Sequence, residues 1–446
     1  MAWDFVNIDF LFYFLPLYFL LYALTPRKLR NVTLLIGSMA FYYFGEREYL
    51  IVLPVSIGVH YLLGRLLEKT KGKGILEIAV VFDLAMLAIF KLGFGKIPLG
   101  LSFFTFQGIS YMADIKSREI SAEKNPWHLA LYMGMFPKIG SGPLVSYAQI
   151  KKDLIDRKIT AEAFQKGLQY FVLGLTAKVL LADRLQIIWH EVEVAGYESI
   201  TWRYAWIGAI AFSLKLYFDF YGYSLMAIGL GKMMGFSLPD NFQTPYLARS
   251  VRDFYRRWHI TLGMWFRKYV YIPLGGSRRG NARTILNLLA VWFLTGLWHG
   301  FSMNFVLWGL FLWCLLVMER CMGLLTERLT FVKKLMVLPH VYLLFVIPIS
   351  WMFFAITDMT QLQFYLNRMF GIGEALNVNI YDWLIALQRH GGILAAAIVC
   401  ATGVAERILA KKEKSPVWNL ILAGLFWLCV WKIMRQGSNP FQYVNF

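Results

Sequence analysis

The chain has 446 residues, of which 58% are hydrophobic and 17% aromatic. A soluble domain of that length needs more polar residues to cover its surface. Its 45 lysines and arginines against 27 aspartates and glutamates give a net charge of +18. In so apolar a chain that excess points to basic loops and anionic lipid head groups rather than to nucleic acid.

Apolar runs near membrane-spanning length recur throughout. In chain order they are predicted at 8–25, 31–45, 48–66, 75–93, 165–192, 203–235, 284–300, 302–318, 335–357, 391–408 and 416–434. The expectation is an all-α, polytopic membrane protein with about eleven transmembrane helices. Shorter apolar pieces at 98–114 and 128–147 are interrupted by Gly and Pro. They read as re-entrant or tilted helices, tolerated only where protein or a cavity covers the backbone. The first run follows Asp4 and Asp9 and precedes Arg27-Lys28. Without a basic leader segment it reads as a retained first helix rather than a signal peptide. The basic clusters are Arg27–Arg30, Lys69–Lys73, 249–283, Lys333-Lys334 and Lys411–Lys414. With each of them cytoplasmic, the first span begins outside, the last ends outside, and Asp358–His390 faces outside. There is no linker-like stretch and no evident repeat, so residues 1–446 are expected to form a single membrane domain. Cys314, Cys321, Cys400 and Cys429 lie in or beside apolar spans and read as packing residues, neither metal ligands nor a disulfide framework.

Ionisable groups in such a chain are expensive and are functional candidates by default. The richest segment is 249–283, where arginines and lysines interleave with aromatic residues. If it is helical, Arg252, Arg256, His259 and Gly263 share one face, and Asp253 pairs with Arg257 one turn on. A basic aromatic helix suits a membrane interface. It equally suits phosphates and an adenine ring, through arginine forks and stacking. Arg252, Arg256, Arg257 and Trp258 are therefore candidates for binding a phosphorylated donor, and Arg278 and Arg279 join them in the loop Pro273-Leu-Gly-Gly-Ser-Arg-Arg-Gly280. Backbone amides in glycine-rich loops cradle phosphates, although P-loop spacing is absent here. Two histidines, His259 and His299, could take a proton from a thiol or hydroxyl near neutral pH. A histidine beside an apolar span is more often simply packed and hydrogen-bonded, and both readings stay open. No HxxxH or HExxH metal pattern and no GxSxG elbow is present.

Several motifs taken together carry a resemblance. They are Pro98-Leu-Gly-Leu-Ser-Phe-Phe-Thr-Phe-Gln107, Phe136-Pro-Lys-Ile-Gly-Ser-Gly-Pro143, Phe218-Asp-Phe-Tyr-Gly-Tyr-Ser224, Pro239-Asp-Asn-Phe242, Arg252–His259, Tyr271–Gly276 and Leu297-Trp-His-Gly300. The chain resembles the membrane-bound O-acyltransferase family, in the branch that O-acetylates bacterial polysaccharides such as alginate or peptidoglycan. The resemblance implies helices around a central tunnel in the bacterial cytoplasmic membrane. It makes His299 the catalytic histidine and His259 the second polar position of the site. It implies acetyl-CoA as donor, no metal, a polysaccharide acceptor, and an extracytoplasmic SGNH-type O-acetyltransferase as partner. One departure is Leu225, where related acetylation subunits carry Asp after Gly-Tyr-Ser. Leucine there is similar to the branch that transfers D-alanine to teichoic acids, whereas the Pro273–Gly280 loop resembles the acetylation type.

The tail reads Phe441-Gln-Tyr443-Val-Asn-Phe446. On composition it is an interfacial aromatic anchor. The D-alanine branch uses a similar motif, on a separate small peptide, to present a tyrosine that receives the acyl group. By that resemblance Tyr443 is expected to be an acyl carrier. Two other classes stay in view: direct acyl transfer to a lipid or lipidated protein, and a transporter, which calls for inverted repeats.

Overall fold

The computed structural model describes residues 4–70, 72, 74–93, 96–328, 339–373, 378–437 and 441. Every named element among them is a helix, and the one isolated bridge joins Phe242 to Trp258. Helix lies on each of the apolar runs. Among the described residues, three helices are long and apolar enough to cross a membrane: Met303–Gly323, Asp382–Ala401 and Pro416–Gln436. Phe10–Leu24 and Val341–Ala355 are apolar but shorter. Large apolar side chains stand exposed along these helices, for example Leu17, Leu20 and Leu24, or Leu420, Trp427 and Met434. In water such patches would drive association; against lipid they are at home.

Several details differ from the expectation. The run at 391–408 is two helices, Asp382–Ala401 and Val404–Lys412, broken at Gly403, whose φ of 77° a helix does not accept. The 335–357 run is helical from Pro339 to Ala355, and 335–338 lie outside the described residues. The piece at 98–114 is one regular helix, Leu101–Lys116, buried on every face. The piece at 128–147 does break, into Pro126–Gly134 and Phe136–Ile139, around an extended Met135. None of the four cysteines is in a disulfide; Cys429 is buried as a packing residue should be, but Cys314 and Cys321 are exposed.

The chain divides into two compact units. The first comprises Met1–Thr176, Phe220–Asp240 and Lys414–Phe446. A cluster of Phe5, Phe10, Phe41, Phe136 and Tyr223 fills part of its core. Two of its helical segments meet backbone to backbone: a Cβ on Gly174 would stand 2.5 Å from the carbonyl oxygen of Gly222. Small residues are what permit such approach between membrane helices. The Arg157 guanidinium donates to Asn31 Oδ1 at 2.6 Å and to the hydroxyl of Tyr22 at 2.9 Å. His60 and Asp83 are both wholly buried. His60 Nδ1–H donates to the Ser56 carbonyl at 2.8 Å, and its Nε2 meets Asp83 Oδ2 at 3.0 Å.

The second unit comprises Ala177–Asp219 and Asn241–Glu413. Lys178 is buried in it between two carboxylates, Asp219 at 2.7 Å and Asp183 at 2.9 Å. Thr201 donates its backbone N–H and its hydroxyl to the Asp382 carboxylate. The Tyr365 hydroxyl donates to the Ala205 carbonyl at 2.7 Å. These bonds tie the start of the helix Trp202–Met233 to the helices Met359–Met369 and Asp382–Ala401.

Removing one partner of a buried pair leaves the other uncompensated. Asp83→Ala should therefore lower stability by about 3–5 kcal/mol, read as thermal unfolding in detergent. Replacing His60 and Asp83 together by leucine should recover most of that loss, because an apolar pair carries no desolvation cost.

Candidate active site around His259 and His299

Asn241 organises the first half of the site. Its Oδ1 accepts from the Thr261 backbone N–H at 3.2 Å and from the Thr261 hydroxyl at 2.9 Å, and it faces His259 Nδ1 at 3.2 Å. A backbone N–H can only donate, so the Asn241 atom before it is the oxygen and not the amide nitrogen. His259 Nδ1 must then donate as well. The proton of the neutral imidazole sits on Nδ1, and Nε2 carries a lone pair. Two backbone bonds add to the clamp: Ile260 N to Asn241 O at 3.0 Å, and Gln243 N to Arg257 O at 2.9 Å.

This clamp overrides the helical spacing expected across 252–263. A short helix covers Val251–Arg257, Trp258 is extended, and His259 takes φ 45°, ψ 52° before a second helix, Ile260–Phe266. Arg252 and Arg256 therefore do not share one helical face with His259 and Gly263. Left-handed backbone is uncommon outside glycine and marks positions that the surrounding structure over-determines. The expected Asp253–Arg257 pair is present at 3.0 Å. The first helix is capped by Ser250 Oγ, which accepts from the Asp253 N–H at 3.0 Å. Glu319 completes the cap: its carboxylate accepts from the N–H groups of Val251 at 2.6 Å and Arg252 at 3.2 Å. A carboxylate there also answers the positive end of the helix.

The candidate donor residues fall in different environments. Arg252, Arg256, Arg278 and Arg279 are exposed, and Arg257 is half-buried. Trp258 is in the core instead. Its ring stacks on Phe254 at 5.5 Å and meets Phe242 and Trp351 at 5.2 and 5.0 Å, so its faces are taken by protein. The loop bearing Arg278 and Arg279 is held by Asn287 Nδ2 donating to the Gly276 carbonyl at 2.9 Å, and by Arg283 Nε donating to the Leu274 carbonyl at 3.2 Å.

His299 is the last residue of the helix Asn281–His299 and is buried. It sits in an aromatic cage formed by Trp298, Phe305, Trp308 and Phe354. The cage depends on how closely the helix Met303–Arg328 approaches. A Cβ on Gly296 would stand 2.5 Å from the Phe305 carbonyl oxygen, and one on Gly309 would stand 2.4 Å from that of Trp292. His259 and His299 each pack against Trp298, with ring centroids at 6.5 and 4.5 Å. Tyr443 lies outside the described residues. Phe441, the last one described, is buried edge-on to Tyr223 at 4.8 Å in the first unit.

Asn241, Glu319 and Trp308 were not singled out by sequence. Asn241 stands inside Pro239–Phe242, and Glu319 is an acid at the end of an apolar run, which was signal enough to ask about each. For Trp308 there was no local signal.

Burial pushes the His259 imidazole down to about 3, against about 6.5 in an unfolded chain. Between those values the unfolded state binds one more proton, so stability should fall as pH drops from about 6.5 toward 3. His259→Gln should flatten that part of a melting-temperature profile.

A family model described as the membrane-bound O-acyltransferase family matches residues 116–357, which include both histidines. The chain is 32% identical to "Probable alginate O-acetylase AlgI" of Pseudomonas putida, over 98% of this chain and 99% of that protein. It is 30% identical to "Peptidoglycan O-acetyltransferase" of Helicobacter pylori, over 81% of this chain and 79% of the relative. The similarity to "Teichoic acid D-alanyltransferase" of Bacillus subtilis is 27% and covers 48% of this chain and 56% of that protein. A polytopic helical chain with a buried histidine at the end of an apolar helix, matched across more than half its length, belongs to the membrane-bound O-acyltransferase family of acyltransferases.

Proposed function

We propose that the chain takes an acetyl group from acetyl-CoA on the cytoplasmic side of a bacterial cytoplasmic membrane and hands it across through Tyr443. An extracytoplasmic SGNH-type transferase then places it on a polysaccharide hydroxyl. The observation that carries this reading is near end-to-end similarity to an alginate O-acetylase, joined by similarity to a peptidoglycan O-acetyltransferase. About eleven spans around a central tunnel would let acetyl cross without CoA.

In this reading Arg252, Arg256, Arg257, Arg278 and Arg279 hold the donor's phosphates, with Trp258 packed behind the first three. His299 takes the proton of the Tyr443 hydroxyl as its oxygen adds to the thioester carbon. Unaided, a tyrosine with pKa about 10 is a poor nucleophile at neutral pH. The adduct collapses, the carbon–sulfur bond breaks, and the thiolate leaves with the proton from His299. His259, neutral and protonated on Nδ1, turns an acceptor nitrogen to the same chemistry. A second reading, D-alanyl transfer, draws on Leu225 and on the shorter similarity to a teichoic acid D-alanyltransferase.

His299→Ala should lower acetyl transfer by about 100- to 10,000-fold, the range lost with a general base, while the protein still folds. Wild type given acetyl-CoA should gain about 42 Da on its C-terminal peptide, as expected for a covalent acyl intermediate. Tyr443→Phe should lose both that adduct and acetylation of the external acceptor; an active Tyr443→Phe enzyme makes direct transfer the better model.

Acetyl-CoA at about 100 times its Kd should raise stability by about 2.7 kcal/mol, read as a shift in melting temperature. Arg256→Ala with Arg257→Ala should shrink that shift. Protection by a thioesterified carrier protein and not by acetyl-CoA would select D-alanyl transfer.

A further inference from the structure

Trp308 is a residue that the mechanism above does not use. It is 2% exposed. Its Nε1 is buried and has no hydrogen-bond partner among the described residues. A buried donor without an acceptor costs about 1–3 kcal/mol, so an orphan N–H in a native core asks for a reason. Its position supplies one. The indole lies edge-on to the His299 ring, with centroids 5.2 Å apart and planes at 88°, and both rings pack on Phe354.

The ring is also fixed. Tyr255, Trp292 and Trp351 surround it at 6.4, 5.8 and 6.1 Å. The backbone that carries it cannot back away, because Gly309, the next residue, lies against the Trp292 carbonyl. A donor held this way in apolar surroundings needs no reorganisation when charge appears beside it. That is the condition under which a single hydrogen bond stabilises a developing oxyanion most.

We propose that Trp308 Nε1–H is an oxyanion donor of acyl transfer, a catalytic residue acting beside His299. The inference rests on the reading of His299 as the base. As the nucleophile's oxygen adds to the thioester carbon, the carbonyl π pair moves onto the carbonyl oxygen and the nucleophile's proton goes to His299. Trp308 donates to that oxygen while it is negative. When the C=O re-forms and the carbon–sulfur bond breaks, the thiolate takes the proton back from His299 and Trp308 is again without an acceptor.

Trp308→Phe keeps an aromatic ring and deletes the N–H. Replacing Trp308 with 3-benzothienylalanine keeps the indole's shape and puts sulfur where Nε1 stood, which covers the case in which the phenylalanine variant does not fold. Both are to be measured beside His299→Ala in single-turnover thiol release from acetyl-CoA and from its dithioester analogue, in which sulfur replaces the carbonyl oxygen. The expected result is a fall of about 100-fold with acetyl-CoA, with donor affinity unchanged. The preference for acetyl-CoA over the dithioester should shrink by a similar factor, because sulfur is the weaker acceptor. A folded variant with wild-type rates, or slowed equally on both donors, overturns the role of Trp308 while leaving His299 in place. An active His299→Ala enzyme overturns the reading of the base, and the proposal with it.

Discussion

Bare backbone in helix contacts is the constraint on which most of this structure depends. In the second unit, Gly296 and Gly309 let two helices touch at their carbonyl oxygens. That approach sets the distance between His299 on one helix and Trp308 on the other. In the first unit the Gly174–Gly222 contact does the same for the helices beneath Tyr223. Between helices in lipid there is little hydrophobic drive to association, so close van der Waals packing takes its place. A methyl group at any of these positions would push apart the residues on either side, and so Gly296 and Gly309 belong to the candidate site by geometry although they bear no chemistry.

The polar groups inside the apolar bulk divide by how they are compensated. Lys178 with Asp183 and Asp219, and His60 with Asp83, are paired and serve packing. Asn241 is different, because one oxygen serves three donors and so settles the protonation pattern of a histidine. Glu319 is different again. It spends its charge on the first N–H groups of the helix that displays Arg252 and Arg256. A donor phosphate arriving there, as proposed, would meet guanidinium groups and not a vacant helix end.

Much of the architecture was legible because lipid imposes long apolar runs, and such runs read clearly one residue at a time. The histidines were legible for the related reason that ionisable side chains stand out against them. What escaped was set by distant partners. The helix expected through Arg252–Gly263 obeys its local spacing, yet Asn241 and Phe242 pull Trp258 and His259 out of it. Trp258 looked like a stacking platform because its neighbours are basic, but it is buried among Phe242, Phe254 and Trp351. Trp308 gave no sign because an indole in an apolar run is ordinary; only three-dimensional packing shows that its N–H faces no acceptor.

The burial of Phe441 against Tyr223 has a kinetic meaning. Phe441 fixes the last described residue of the chain in the core of the first unit. A carrier tyrosine on the enzyme's own chain, as proposed for Tyr443, would exist at one copy per enzyme, at an effective concentration fixed by its tether rather than by expression. Its loading would then be first order in enzyme and could not be saturated with added carrier. Each chain would hold one acyl group at most, and would wait, charged, until an acceptor emptied it.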